Sequence, residues 1–258
     1  MNRLVLTNIS DRIGYIVLNN PEKRNALGPE IIAGLKEAFL MMELNEGVKV
    51  VILSASGKAF CAGADLAYLQ QMQAFTFEEN LADSQGLKDL FELIYSFPKV
   101  VIAEVQGHAL AGGCGLVTVC DFAFSAPAAL FGYTEVAIGF VPALVSVFLL
   151  EQIGGAKTKE LLLSGELITS SKAAELGLIT EVIESEELKK IVFDFAQKLI
   201  TKNSSFSMTE TKMLLRELTK ESRIKALNYA AELNAKARAH PDCKHGIAAF
   251  LSKSKPSW

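Results

Sequence analysis

Short apolar runs take turns with longer stretches of helical periodicity along the first half of this 258-residue chain, and that alternation most narrows its fold. Residues 14–18 (GYIVL) form a strand candidate closed by Asn19, Asn20 and Pro21. Pro29 then opens a helix in which Ile31, Ile32, Leu35, Ala38, Phe39 and Met42 keep the spacing of one buried face. Residues 48–53 (VKVVIL) read as a buried strand, 65–95 as a second helical region and 99–105 (KVVIAEV) as another strand. The cycle repeats with a short helix at 112–120 and a strand at 121–125 (DFAFS). Strands joined by helical crossovers predict an α/β fold with parallel pairing. Beyond Pro142 helices dominate, broken by Gly154-Gly155, Gly165 and Gly177, with one strand-like run at 178–183. A boundary is expected near 201–205 (TKNSS), giving a core of residues 1–201 and a helical region of 202–258.

Two of the strand-to-helix connections consist of small residues: 59–66 (AFCAGADL) and 107–115 (GHALAGGCG). Small side chains let the backbone approach a ligand, and the first turn of a helix presents N–H groups without intrahelical partners. Loops from consecutive repeats can set one N–H on each side of a single oxygen, the arrangement of an oxyanion hole. The expected donors are the N–H groups of Ala62 and Gly112.

These loops stand in order between residues 20–27 (NPEKRNAL) upstream and 131–135 (FGYTE) downstream. Together the four segments resemble the crotonase (enoyl-CoA hydratase/isomerase) superfamily. The resemblance implies a spiral of repeated strand-strand-helix units and a C-terminal helical trimerisation region, assembled as a homotrimer or a dimer of trimers. It also implies an acyl-CoA thioester substrate, with CoA arriving as part of the substrate and no separate cofactor. On matching positions, Lys23, Arg24 and Ala26 would line the CoA nucleotide site, and Ala62 to Leu66, including Ala64 and Asp65, would lie along the pantetheine and thioester. Lys253 would add a contact from the tail.

Hydratases of this superfamily usually carry two glutamates, one three residues beyond the oxyanion glycine and one at the position of Glu135. Here Gly115 occupies the first, so Glu135 stands as the principal acid/base. Its apolar neighbours Phe131, Tyr133, Val136, Ile138 and Phe140 would raise its pKa by desolvation. The expected reaction is reversible hydration of a 2-enoyl-CoA, and residues 135–143 (EVAIGFVPA) also resemble the methylglutaconyl-CoA hydratase branch. The alternative is a 3,2-enoyl-CoA double-bond isomerase using Glu135 alone. Further readings are a thioester decarboxylase, dehalogenase or hydrolase, and a catalytically silent binding or scaffold protein. His108 is read as a packing residue near the substrate, with a substitute acid as the other role. Glu92 and Asp83 are weaker candidates for the acyl pocket, and Tyr133 is expected to be oriented by packing.

The net charge of −3 argues against nucleic-acid partners. Residues 1–201 hold 15 Lys+Arg against 24 Asp+Glu and residues 202–258 hold 11 against 5, an acidic body with a basic tail. That tail is read chiefly as a solvated helical surface, with a phosphorylated ligand nearby as the lesser reading. Cys61, Cys114, Cys120 and Cys243 lack metal-ligand spacing and read as small buried side chains, so no metal is expected. No apolar run is long enough to span a membrane, and no signal or transit segment is read at the N-terminus, which together predict a cytoplasmic protein.

Overall fold

In the computed structural model, which describes residues 3–258 apart from the side chain of Leu66, the alternation resolves into two sheets. The chain opens with β1 (Val5–Ser10) and β2 (Ile13–Leu18), an antiparallel pair, followed by α1 (Pro29–Leu44). Three units then follow one plan. The first is β3 (Val50–Ala55), β4 (Ala59–Cys61), α2 (Leu66–Met72) and α3 (Phe77–Tyr95). The second is β5 (Val100–Val105), β6 (His108–Leu110) and α4 (Gly112–Thr118); the third is β7 (Phe122–Ser125), β8 (Leu130–Gly132), a 3-10 turn at Glu135–Ile138 and α5 (Ala143–Ser164). The remainder is β9 (Ile168–Thr169), α6 (Ser170–Leu176), β10 (Glu181–Val182), α7 (Ser185–Lys202), α8 (Ser205–Glu217), α9 (Lys220–Ala239) and α10 (Pro241–Leu251).

The first strand of each unit enters a six-stranded sheet ordered β1-β2-β3-β5-β7-β10, and the second enters a four-stranded sheet ordered β4-β6-β8-β9. From β2 to β10 the large sheet is parallel, as are β4, β6 and β8 in the small one. This is the strand-strand-helix spiral that the resemblance implies. Periodicity alone missed every second strand, because three residues are too few to show an alternation. It also missed β1, an edge strand of mixed, largely exposed residues. The helical region expected over 65–95 is two helices, since Thr76 caps α3 in a reciprocal box with Glu79 and ends the approach from α2.

The continuous apolar run of β3 is explained by burial on both faces. Val51 and Leu53 face the main core, whereas Val50 and Ile52 join Ile13, Ile102 and Phe124 against the apolar stripe of α7, formed by Leu188, Val192, Ala196 and Ile200.

Most cations of the basic tail are solvated, with Lys202, Lys220, Lys225, Lys236, Lys244, Lys253 and Lys255 exposed, but four are not free surface charges. Lys212 (2.6 Å) and Arg216 (3.1 Å) both bind the Asp121 carboxylate, Arg223 binds Glu92 at 3.3 Å and Arg238 binds Asp83 at 2.6 Å. Lys212, Arg223 and Arg238 are buried, so part of the charge asymmetry docks the helical tail onto the acidic body. Among the described residues no helix is long and apolar enough to cross a membrane.

Candidate active site

Asn25 shapes the first wall of the site. Its buried carboxamide accepts the N–H of Asn20 at 2.8 Å and donates to the carbonyls of Ser56 (2.8 Å) and Ala59 (2.9 Å). Arg24 and Asn25 consequently sit in the left-handed region, with φ of 51° and 54°. That turn aims the Arg24 carbonyl at the neighbouring loop, where it accepts the N–H of Ala62 at 3.0 Å. One residue pair further on, Leu27 donates to the Gly63 carbonyl (2.6 Å) and accepts from Asp65 (2.9 Å). The N–H between them, that of Ala64, has no acceptor among the described residues.

The expectation for Ala62 is therefore corrected. Its N–H is committed to Arg24, and a donor already engaged by backbone cannot receive a substrate oxygen; the open N–H of this loop belongs to Ala64. The small size of Ala62, Gly63 and Ala64 pointed to the right loop, but only the register against residues 24–27 decides which amide is open.

On the second loop Ala111 adopts φ 49° and ψ −123°, a conformation that costs a non-glycine residue about 1–3 kcal/mol. It is held there by its own N–H, which donates to the Gly132 carbonyl at 2.7 Å, and by its carbonyl, which accepts from Gly115 at 3.0 Å. Gly112 follows as the first residue of α4, so its N–H has no intrahelical partner, and it has none elsewhere among the described residues. The two loops touch. A β-carbon on Gly63, at φ 88°, would lie 3.1 Å from the Ala111 β-carbon, and one on Gly113 would lie 2.3 Å from the Cys61 carbonyl oxygen.

Glu135 starts the 3-10 turn that follows β8. Its Oε2 is enclosed and has no hydrogen-bond partner among the described residues. Burial pushes the carboxyl up to about 7, opposed only by its own backbone N–H. Ala62, Ala64, Ala111, Gly112 and Glu135 line one cavity of about 160 Å³ whose other walls are largely apolar, including Leu27, Met72, Phe91, Phe140, Leu144 and Val145. An unpartnered carboxyl that can hold or release a proton near neutrality thus shares a cavity with two open N–H donors.

At Gly115 the structure shows why no second carboxylate is present. A β-carbon there would meet Val145 Cγ1 at 2.6 Å and Phe91 Cζ at 2.8 Å, so that space belongs to apolar side chains.

Other expected residues lie around the cavity rather than in it. Lys23 and Arg24 are exposed, and Lys23 Nζ pairs with Asp65 at 3.0 Å. Burial alone would raise the Asp65 carboxyl, but Lys23 and the N–H groups of Tyr68 and Ala67 together hold it below the usual carboxylate range. Ala26 is buried, Lys253 is exposed beyond α10, and the side chain of Leu66 lies outside the described residues. His108 does not fill a packing position near the substrate. It is exposed on β6, its Nδ1 accepts the N–H of Leu130 at 3.1 Å, and it does not line the cavity. Glu92 is spent on Arg223 and Ser96, whereas Asp83 does reach the cavity. Tyr133 is fully buried and hydrogen-bonded to Thr118, as packing requires. All four cysteines are buried, with thiols raised by desolvation, and among the described residues no His, Cys, Asp or Glu cluster could hold a metal. Ala64 was expected beside the substrate but not as the donor, and the positioning roles of Asn25 and Ala111 went unread, because all three depend on how the backbone of these loops is folded, which a side-chain pattern does not display.

Comparison with known proteins agrees with this geometry. Residues 8–258 match the family model described as "Enoyl-CoA hydratase/isomerase". A protein of Thermus thermophilus named "Putative enoyl-CoA hydratase" is 40% identical over 244 residues, covering 95% of this chain and 96% of its own. The "Crotonyl-CoA hydratase" of Syntrophomonas wolfei is 31% identical over 250 residues, covering 96% and 95%. Among solved structures, an enoyl-CoA hydratase from Mycobacterium avium superposes with a TM-score of 0.89 at 29% identity, covering the whole of both chains.

Proposed function

Because the chain belongs to the enoyl-CoA hydratase/isomerase family, we propose that it acts on an enoyl-CoA thioester, with Glu135 as its acid/base and the N–H groups of Ala64 and Gly112 as its oxyanion donors. The observation that carries this reading is the cavity shared by the unpartnered Glu135 carboxyl and the two open amides. Negative charge gathers on the thioester oxygen when water adds to C3 of a 2-enoyl thioester or when a proton leaves C2 of a 3-enoyl one. Fixed donors stabilise that charge without reorganising, and each is worth about 3–4 kcal/mol of barrier. The exposed cations Lys23 and Arg24 are assigned to the CoA phosphates, and Asp65 positions Lys23.

The favoured reaction is reversible hydration, supported by the names of the relatives. Glu135 takes a proton from water as the oxygen bonds to C3, the electron pair passes to the thioester oxygen, and the enolate collapses as Glu135 returns the proton to C2. A group titrating near 7 can serve in both steps. One observation favours the second reading, 3,2-enoyl isomerisation: Phe91 and Val145 fill the place of a second acid, and moving a proton from C2 to C4 needs only one. Incubation with 2-enoyl- and 3-enoyl-CoA in deuterated water separates the two. Hydrated product supports hydration, deuterium uptake with a moved double bond and no hydration supports isomerisation, and neither would sink the proposal.

We also infer self-association through the helical region, as a trimer or a dimer of trimers. Leu150 and Leu163 on α5, Leu214 and Leu215 on α8, and Tyr229 on α9 expose apolar surface that a second copy would bury. Sedimentation measures the assembly directly.

A further inference from the structure

The cavity that holds Glu135 also has a polar wall that proton transfer leaves idle, and we propose that this wall receives an acceptor oxygen carried on the acyl chain, away from the thioester. The inference rests on the thioester reading above and adds to it the kind of acyl group.

Tyr68 of α2, Asp83 of α3, and Asn234 and Arg238 of α9 all line this cavity. The Arg238 side chain is 6% exposed. Its Nη1 donates to Asp83 Oδ2 at 2.6 Å and to Asn80 Oδ1 at 3.3 Å, and its Nε donates to Asn234 Oδ1 at 3.2 Å. Its Nη2 has no acceptor among the described residues and is not one of the fully enclosed orphan atoms. A guanidinium offers five N–H donors in a fixed fork, so the pair on Nη2 remains available in a residue that lines the cavity. Tyr68 donates its hydroxyl to Asp83 Oδ1 at 2.5 Å, and burial together with that bond raises the phenol, keeping it a donor.

A cavity selected for hydrocarbon alone would set these N–H groups against methylene and strip their water without return, a cost borne by any buried donor left unmet. An acceptor oxygen on the acyl chain removes it. Because the Asp83–Arg238 pair is neutral as a unit, a hydroxyl or keto oxygen brings no net charge into the wall and gains Nη2 as a donor. A carboxylate gains the same donor but meets the Asp83 charge. Sites built to hydrogen-bond a substrate oxygen discriminate strongly against the analogue that lacks it.

Calorimetric binding of saturated acyl-CoA ligands to the intact protein tests this without requiring turnover. The ligands are matched in length, over a series of lengths, and end in methyl, hydroxyl or carboxylate. The expected result is about tenfold tighter binding of an oxygen-ended ligand than of its methyl-ended partner at the length that reaches the wall, the worth of a hydrogen bond to a charged group. Whether hydroxyl or carboxylate leads identifies the oxygen. Arg238→Lys should raise KM for the preferred enoyl thioester about tenfold, and should raise it less for the methyl-ended one, so that the preference between the two narrows. Equal or tighter binding of the methyl-ended ligand at every length would overturn the inference while leaving the thioester reading intact. Binding of none of them would overturn both.

Discussion

Gly113 and Cys61 approach so closely that a β-carbon on the glycine would stand 2.3 Å from the cysteine's carbonyl oxygen. That contact lets α4 abut the end of β4 and brings the amides of Gly112 and Ala64 to one cavity. Gly113→Ala must push the two loops apart, at about 1–3 kcal/mol of overpacking strain. Thermal melting should show that loss and steady-state kinetics a fall in kcat, since the donors would no longer converge. A variant with native stability and native kcat would show that the contact does not set the donor geometry.

The engaged amide of Ala62 and the open amide of Ala64 predict opposite outcomes for the same atomic change. Replacing residue 64 by lactic acid, which turns its N–H into an ester oxygen, should lower kcat by about 10²–10³ with little effect on melting. The same replacement at 62 should leave kcat largely intact and cost about 1 kcal/mol of stability through the lost bond to Arg24. If the ester at 62 were the one that abolished turnover, the donor assignment would be wrong.

The pair of loops was legible in the sequence because two runs of small residues, each between an apolar run and a helix, stand in order with the flanking segments 20–27 and 131–135. The choice between Ala62 and Ala64 was not, since it depends on Asn25 folding residues 20–27 so that the Arg24 carbonyl arrives at one amide and not the next. Glu135 was legible from its place in the crotonase resemblance, and the apolar residues around it agree with the burial that raises its pKa. The docking of Lys212, Arg216, Arg223 and Arg238 onto Asp121, Glu92 and Asp83 was out of reach because those partners lie 91 to 155 positions apart in the chain. The small second strands escaped for the complementary reason that they are too short to carry a period.

Glu135 should govern both rate and stability with pH. Its carboxylate form is the base, so kcat/KM for hydration is expected to rise with pH through a midpoint near 7. Glu135→Gln should lose about 10²–10⁴ of the rate and the ionisation with it. For stability the sign is opposite. The folded pKa lies above the ordinary 4.5, so the folded state holds the proton more tightly than the unfolded one between those values. The associated stability is complete below pH 4.5 and is lost as pH rises through 7. Above pH 7 the Gln variant should therefore melt higher than the native protein, by an amount on the order of 1–3 kcal/mol. Equal melting curves at pH 8 would show that the carboxylate is better solvated than its burial implies.

Gly115→Glu asks whether the second acid can simply be restored. The β-carbon alone would overlap Val145 Cγ1 at 2.6 Å and Phe91 Cζ at 2.8 Å, and the carboxylate would enter an apolar wall. The single variant should lose about 3 kcal/mol or more, combining overpacking with an unpaired buried charge, and show no gain in hydration rate. Phe91→Ala introduced alongside should recover part of that loss, because the cavity left by the ring accommodates the new side chain, so the two changes would be non-additive. Melting curves for both single variants and the double one measure this coupling, and hydration assays on the double variant ask whether a two-carboxylate site turns over faster. Additive destabilisation would mean that Phe91 is not what excludes the second acid. If the coupling is present and the hydration rate rises, the apolar pair Phe91 and Val145 is what confines this site to a single acid/base, and the partition between hydration and isomerisation is set by that wall rather than by Glu135.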